Sequence, residues 1–445
     1  MLARILNRIV VVFVVCVVVL GSAVLAASAS GVLTPEPTTM IDPDAYALPL
    51  PNPVSPAAGL APASAAPLPD GALVEKQIAA LDRTGIGVIS YCVTDLTGAV
   101  VAAQDAQSAR TPASSWKLLT MLAVLSNLGR DQRFATTVVE SADGVVLVGG
   151  GDPMLTTSRT AVDGQATLLN LAEQTAQALS ESGRTEVALG YDDSLFAGPT
   201  WNPAWTDSYL GNIAPVSALA ADAYGGPEVA VSNKTASTFA NLLGARGITV
   251  TAVRPEQAGP GAAQLGRVES LPLGDMVRRI VALSDNYGTE VLLRHVSLAS
   301  GQNGSISSTQ WVFTGFLQSH GLWADSMVVS DGSGMSLHDK ATPTVLAASV
   351  RMAYGNRLYA DILDGLPVAG VDGTLTSRFD DPAEATGRGV VHAKTGTHDN
   401  VRTLTGYAQS ATGGVLVFSF MLNDVTNNDA AVNWLDQAAA VLAAS

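Results

Sequence analysis

Cysteine is almost missing. Of the two in 445 residues, Cys16 lies in the N-terminal apolar run and Cys92 stands alone in the rest, which excludes a disulfide framework and a cysteine-based zinc site. Charge is scarce too, at 14% of residues, and the basic kind is scarcer: 24 Lys and Arg against 39 Asp and Glu, for a formal net charge of −15. With no Lys/Arg stripe to neutralise phosphates, nucleic-acid binding is disfavoured. The histidines (His295, His320, His338, His392 and His398) show no metal-ligand spacing, so packing or surface roles are expected and no metal. Gly149-Gly150-Gly151-Asp152 lacks the Gly-Lys-Ser/Thr of a nucleotide loop and reads as a tight turn; no cofactor is expected. Aromatics make up only 5%, yet hydrophobic residues reach 47%, enough to bury a large core and to rule out a disordered or fibrous chain. At this length two domains, or one with a large insertion, are expected.

Arg4 and Arg8 precede an apolar stretch from Ile9 to Ala27, with Ala27-Ser28-Ala29 closing it. Residues 1–29 therefore read as a secretory signal. A run of about 20 apolar residues is also long enough for an uncleaved membrane anchor through residues 9–27. Both readings place the protein in the extracytoplasmic cell envelope. Residues 30–70 carry ten prolines among Ala, Ser and Thr, a composition that prefers extended polyproline geometry and reads as a linker with a reach of roughly 120 Å, or as a passive tail.

In the remainder, Ile86–Leu96 and Ala99–Ala103 flank Thr97-Gly98 and predict a β-hairpin. Thr111 as cap, Pro112 at the first helical position and Gly129 past the end mark a helix. Its apolar residues run all the way round, so it is expected to be buried and central. Lys117 sits within it with no other charge before Arg130. An unpaired buried ammonium is prohibitive, so Lys117 must snorkel to solvent or occupy a cleft with partners. Ser114, three residues earlier, shares its face. A hydroxyl, an amine beside it and an unpaired N–H of the first turn are the minimum for an acyl-transfer nucleophile; the bland alternative is a surface Ser and Lys pair. Lys394, one of only five lysines, opens Lys394-Thr395-Gly396-Thr397 among strand-like runs, so it is expected on an antiparallel sheet. Ser284-Asp285-Asn286 lies between two helical patterns and, alone, reads as a helix cap.

Together, Ser-x-x-Lys, Ser-Asp-Asn and Lys-Thr-Gly in this order resemble the penicillin-recognising serine acyltransferases. About 170 residues between Ser114 and Ser284, and the segments Gly149–Pro153, Asp192–Phe196, Ala214–Leu219 and Asp331–Ser336, make the chain similar to the class C low-molecular-mass penicillin-binding proteins. These are D-alanyl-D-alanine carboxypeptidases/endopeptidases. The resemblance covers roughly Ala72 to Ser445. It implies a transpeptidase/β-lactamase-like α/β (α+β) fold, an antiparallel sheet flanked by helices. Residues 71–135 and 270–445 would form the catalytic domain, with a β-rich accessory domain, 136–269, inserted between the first two motifs. The C-terminal stretch Ala430–Ala444 reads as an amphipathic helix closing on the sheet.

The resemblance also implies roles. Ser114 is the nucleophile, Lys117 its base and Ser284 a proton relay to the leaving amine. Asn286 holds the substrate amide. Lys394, Thr395 and Thr397 hold the terminal carboxylate, Gly396 permits close approach, and the N–H groups of Ser114 and Thr397 form an oxyanion hole. Peptidoglycan stem peptides are the implied substrates and β-lactams covalent inhibitors. Leu337 stands where relatives often carry an Arg, which leaves the stem side-chain preference open, with Asp192 or Asp193 as remaining contributors. Two other functions fit the same residues: a β-lactamase, against which stands the absence of a Glu-x-x-Leu-Asn segment, and a non-catalytic envelope protein that binds wall peptides.

Overall fold

A computed structural model describes residues 67–445 except 160, 207–210 and 224–228. The signal or anchor segment and nearly all of the Pro-rich linker lie outside the described residues. Helix α1 (Gly71–Ala79) leads into the hairpin of β1 (Val88–Thr94) and β2 (Val100–Gln104). A 3₁₀ turn, Ala113–Trp116, runs directly into α2 (Lys117–Leu128). Next come β3 (Ala135–Glu140), β4 (Gly144–Val148), α3 (Leu168–Glu181), β5 (Glu186–Asp192), α4 (Val231–Gly244), β6 (Thr249–Pro255) and β7 (Gln264–Glu269). Four helices follow, α5 (Leu273–Leu283), α6 (Asn286–Ala299), α7 (Ile306–Ser319) and α8 (Pro343–Gly355), with the short α9 (Ala360–Asp364) and a 3₁₀ turn at Gly373–Leu375. The chain ends with β8 (Val391–His398), β9 (Val401–Gln409), β10 (Val415–Asn423) and α10 (Asn428–Ala444).

Strand β10 shows why the first sheet is covered on both faces. All nine of its residues are buried, so its sequence is a nearly continuous apolar run, interrupted by Ser419 and ending in Asn423, rather than an alternation. Val417 and Met421 belong to the core that α2, α5, α6, α7 and α8 build, while Leu416, Phe418, Phe420 and Leu422 belong to the core built with α1 and α10. Period-two geometry delivers the two sets to opposite faces. The sheet is antiparallel throughout, in the order β2-β1-β10-β9-β8. Gly129 ends α2 at φ +76°.

The second sheet has the order β6-β5-β4-β3-β7 and its own core, built with α3 and α4. Its five strands agree with the β-rich expectation, and two helices accompany them. Strands β4, β5 and β6 are parallel, and parallel neighbours need long crossovers. Helices α3 and α4 supply them, so the segment is α/β.

Candidate active site

The 3₁₀ turn before α2 is where the sequence reading needs correcting. Thr111 and Pro112 were expected to start an α-helix, but the α-helix begins only at Lys117. Ala113 holds φ +47°, a left-handed conformation that costs a side-chain-bearing residue about 1 kcal/mol or more. Two glycines clamp it. A Cβ on Gly334 would come within 2.1 Å of the Ala113 carbonyl oxygen, and one on Gly396 within 2.8 Å of the Pro112 carbonyl oxygen and 3.1 Å of Ala113 Cβ. Thr403 on β9 adds a hydrogen bond from its hydroxyl to the Pro112 carbonyl (2.9 Å), and its oxygen lies 2.8 Å from Ser115 Oγ. The turn presenting Ser114 is thus held from β8, β9 and the 331–336 loop at once.

Lys117 is fully buried, and its ammonium donates to Ser114 Oγ at 2.9 Å, Asn286 Oδ1 at 2.6 Å and the Ser333 carbonyl at 2.7 Å. These acceptors match its three protons. Burial pulls its pKa down to about 8, against the opposing fields of Asp331, Glu290, Asp285 and Asp339. At pH 7 roughly one amine in ten is then neutral, against about one in 2,500 for a free lysine.

Asn286 reaches Lys117 because the second motif is a joint between helices. Ser284 ends α5 at φ +60° and Asp285 caps α6, accepting the Gly288 N–H at 3.0 Å. The cap reading of this segment holds. Asn286 Oδ1 is committed to Lys117, and its Nδ2 donates to the Asn212 carbonyl at 3.0 Å. Ser284 itself is half-buried beside them.

Lys394, on β8 as expected, is also fully buried, and its amine donates to the Thr395 carbonyl at 2.8 Å. Burial and the positive charge of Lys117 hold its pKa well below the ordinary lysine value. Alternation along β8 puts Lys394, Gly396 and His398 on one phase; His398 Nε2 lies 2.9 Å from the Gly334 carbonyl. Thr395 is half-buried and Thr397 exposed. Thr395 Oγ1 lies 2.8 Å from Thr374 Oγ1.

Of the buried acids behind the site, the sequence pointed to Asp331 through the Asp331–Ser336 segment but not to Glu290 or Asp339. Glu290 accepts the Gly332 and Ser333 N–H groups at 2.9 and 2.7 Å, and burial together with Asp331 pushes its pKa up to about 7. Asp331 accepts from the N–H groups of Gly334 and Ser336 and from the Trp205 indole, and Asp339 from those of Ser330 and Asp331. The available signal was spacing: Glu290 follows Asn286 by four residues, so both lie on one face of α6. Other candidates settle into structure. Among the described histidines and acids this is plain for His295 and Asp192. His295 is buried and stacks on Phe134. Asp192 is occupied in its own turn by Ser194 and the Ala258 N–H. Among the described residues no group of His, Cys, Asp and Glu is arranged to hold a metal.

An antiparallel sheet between helical layers, with Ser-x-x-Lys at a strained helix start and Lys-Thr-Gly on the neighbouring strand, defines a serine acyltransferase of the penicillin-binding class. The chain belongs to the D-Ala-D-Ala carboxypeptidase 3 (S13) family, whose model matches residues 73–237 and 228–445. It is 33% identical over 401 residues to a carboxypeptidase of Mycobacterium tuberculosis, covering 85% of this chain and 86% of that protein. It is 30% identical over 397 residues to carboxypeptidase DacB of Mycolicibacterium smegmatis, covering 84% and 85%. In fold it is similar to penicillin-binding protein 4 of Haemophilus influenzae, with a TM-score of 0.70, 18% identity and coverage of 83% of this chain and 98% of that one. The same Haemophilus protein has been solved in complex with a β-lactam, and that structure matches with a TM-score of 0.64. By its family the chain is a serine-type D-Ala-D-Ala carboxypeptidase.

Proposed function

We propose that the chain cleaves the terminal D-Ala-D-Ala bond of peptidoglycan stem peptides through an acyl-enzyme on Ser114. The carrying observation is the 2.9 Å contact between Ser114 Oγ and a fully buried Lys117 amine. Asn286 Oδ1 and the Ser333 carbonyl fix two of the amine's three directions. Neutral Lys117 therefore keeps its two protons on those acceptors and turns its lone pair toward the serine hydroxyl. As Ser114 Oγ bonds to the penultimate D-alanine carbonyl carbon, its proton passes to Lys117. Ser284 relays a proton to the departing amine as the C–N bond breaks and D-alanine leaves. Water then hydrolyses the ester and restores Ser114.

Asn286 holds the substrate amide through the second proton of its Nδ2. The N–H groups of Ser114 and Thr397 stabilise the oxyanion. Thr395 and Thr397 bind the terminal carboxylate, with Lys394 beneath the strand supplying positive field. Gly396, lacking a side chain, lets the strand approach the Ser114 turn. Residues 71–135 with 270–445 would form the catalytic domain and 136–269 the accessory one; their separate sheets support this division. The enzyme works outside the cytoplasm, released or anchored through residues 9–27, and β-lactams acylate Ser114.

Release of D-alanine from a stem pentapeptide tests the reading, with Ser114→Ala as control. Turnover by the wild type and none by the variant is expected. Rapid penicillin hydrolysis without D-alanine release would favour a β-lactamase, and binding without any turnover the envelope-binding alternative. Comparing D-alanine release with cross-link cleavage separates carboxypeptidase from endopeptidase.

A further inference from the structure

One hydroxyl at the rim of the cleft, that of Thr374, has no part in the steps above. Thr374 lies in the 3₁₀ turn Gly373–Leu375, and its Oγ1 is 2.8 Å from Thr395 Oγ1. The loop that carries Thr374 is stiff. The Val368 N–H donates to Asp372 Oδ1 at 2.7 Å and the Gly370 N–H to the Leu375 carbonyl at 3.0 Å. Two further bonds tie the loop to β8, from the Ala369 N–H to the Val391 carbonyl and from the Ala393 N–H to the Pro367 carbonyl, both 2.9 Å. Gly373, at φ +52°, packs so closely on α5 that a Cβ there would lie 2.9 Å from the Ala282 carbonyl oxygen. The turn therefore bridges Thr395 and the end of the helix that delivers Ser284.

A threonine hydroxyl has one proton and two lone pairs. If Thr395 gave its proton to Thr374, it would meet an incoming carboxylate with lone pairs only, which is repulsive. If Thr374 is the donor, the Thr395 proton is left for the anion, and the chain O–H···O–H···carboxylate is polarised in one direction. Both side chains are reachable from solvent, Thr374 exposed and Thr395 half-buried, so a bound peptide can cover the pair. We propose that Thr374 is a positioning residue that orients the Thr395 hydroxyl to donate to the terminal carboxylate of the substrate. This rests on the reading of Thr395 as a carboxylate ligand.

The test compares a peptide ending in D-Ala-D-Ala as the free acid with the same peptide as its C-terminal amide. Thr374→Val, Thr374→Ser, Thr395→Val and the Val/Val double variant are assayed, with thermal midpoints as folding control and Thr374→Ala as a substitute if the valine variant does not fold. Acylation by a penicillin and by its methyl ester gives the same comparison without deacylation. For the free acid, Thr374→Val is expected to lower kcat/KM about tenfold, mostly through KM, and to leave the amide within about twofold. Thr374→Ser restores the acid preference, and adding Thr374→Val to Thr395→Val costs nothing further. If Thr395→Val lowers acid and amide alike, the carboxylate reading of Thr395 falls and the Thr374 proposal with it. If Thr395→Val is selective for the acid but Thr374→Val lowers both peptides equally or neither, the role of Thr374 alone is overturned.

Discussion

The Glu290 carboxylate accepts the Ser333 N–H at 2.7 Å, and the carbonyl of the same residue accepts from Lys117, also at 2.7 Å. A buried acid thus both shapes the peptide that receives the amine's proton and sets the field around it.

Glu290→Gln keeps an acceptor for the Gly332 and Ser333 N–H groups but removes the charge that favours protonated Lys117. With Glu290 at about 7 and Lys117 at about 8, the acid is ionised where the lysine titrates. The rise of kcat/KM with pH, centred near 8 in the wild type, is expected to move to lower pH in the variant by on the order of one unit. A pH–rate profile on a stem peptide checks it; a shift to higher pH contradicts the assignment.

Lys117→Arg keeps a positive charge but cannot release a proton at working pH. Acylation is expected to slow by on the order of 10² to 10⁴-fold. Stopped-flow acylation with a reporter β-lactam measures it, and a rate within a few fold of wild type would show that Lys117 acts by charge alone.

Gly396→Ala puts a methyl 2.1 Å from Thr403 Oγ1 and 2.8 Å from the Pro112 carbonyl oxygen. β8 must then move off the Ser114 turn. A stability loss of about 1–3 kcal/mol is expected, with a larger proportional loss in acylation rate, read from denaturant midpoints alongside kinetics. Loss of stability with unchanged acylation would mean that the clamp on Ala113 does not set the nucleophile.

Asp152 and His295 flank Gly151 with opposite pH dependences. Asp152 is buried, its Oδ2 meets no hydrogen-bond donor among the described residues, and burial raises its pKa to about 7. The folded state therefore holds a proton that the unfolded state has lost, and stability falls as pH rises from about 4 to 7, by at most about 4 kcal/mol. Burial lowers His295 to about 4, so the unfolded state binds the extra proton and stability falls as pH drops from about 6.5 to 4, by a similar amount. The two trends offset each other. Relative to wild type, Asp152→Asn is expected to gain stability from pH 4.5 to 7, and His295→Phe to gain it from pH 7 to 4.5. Urea midpoints at both pH values decide; parallel pH profiles for all three proteins would contradict the account.

Much of this arrangement was legible in the sequence because it rests on local rules. A lone lysine in an otherwise apolar helix had to reach solvent or find partners, and Lys117 has three. The strand alternation around Lys394 and the left-handed glycine at the end of α2 follow from period and stereochemistry. What was illegible is what tertiary contacts decide. The delayed start of α2 depends on Gly334 and Gly396 propping Ala113 in a conformation that its own sequence disfavours. Val-rich runs such as Val145–Val148 fit parallel and antiparallel pairing equally well, so the α/β character of the second sheet was hidden. The bond from Lys117 to the Asn286 carbonyl oxygen pairs residues 169 positions apart, which no local rule reveals.

The most direct test is to treat the protein with benzylpenicillin at pH 8, digest it and map the adduct by mass spectrometry. One penicilloyl group on the peptide containing Ser114, absent in Ser114→Ala and formed far more slowly in Lys117→Arg, is the predicted result. An unmodified Ser114, or a label on another serine, would contradict the assignment of the nucleophile.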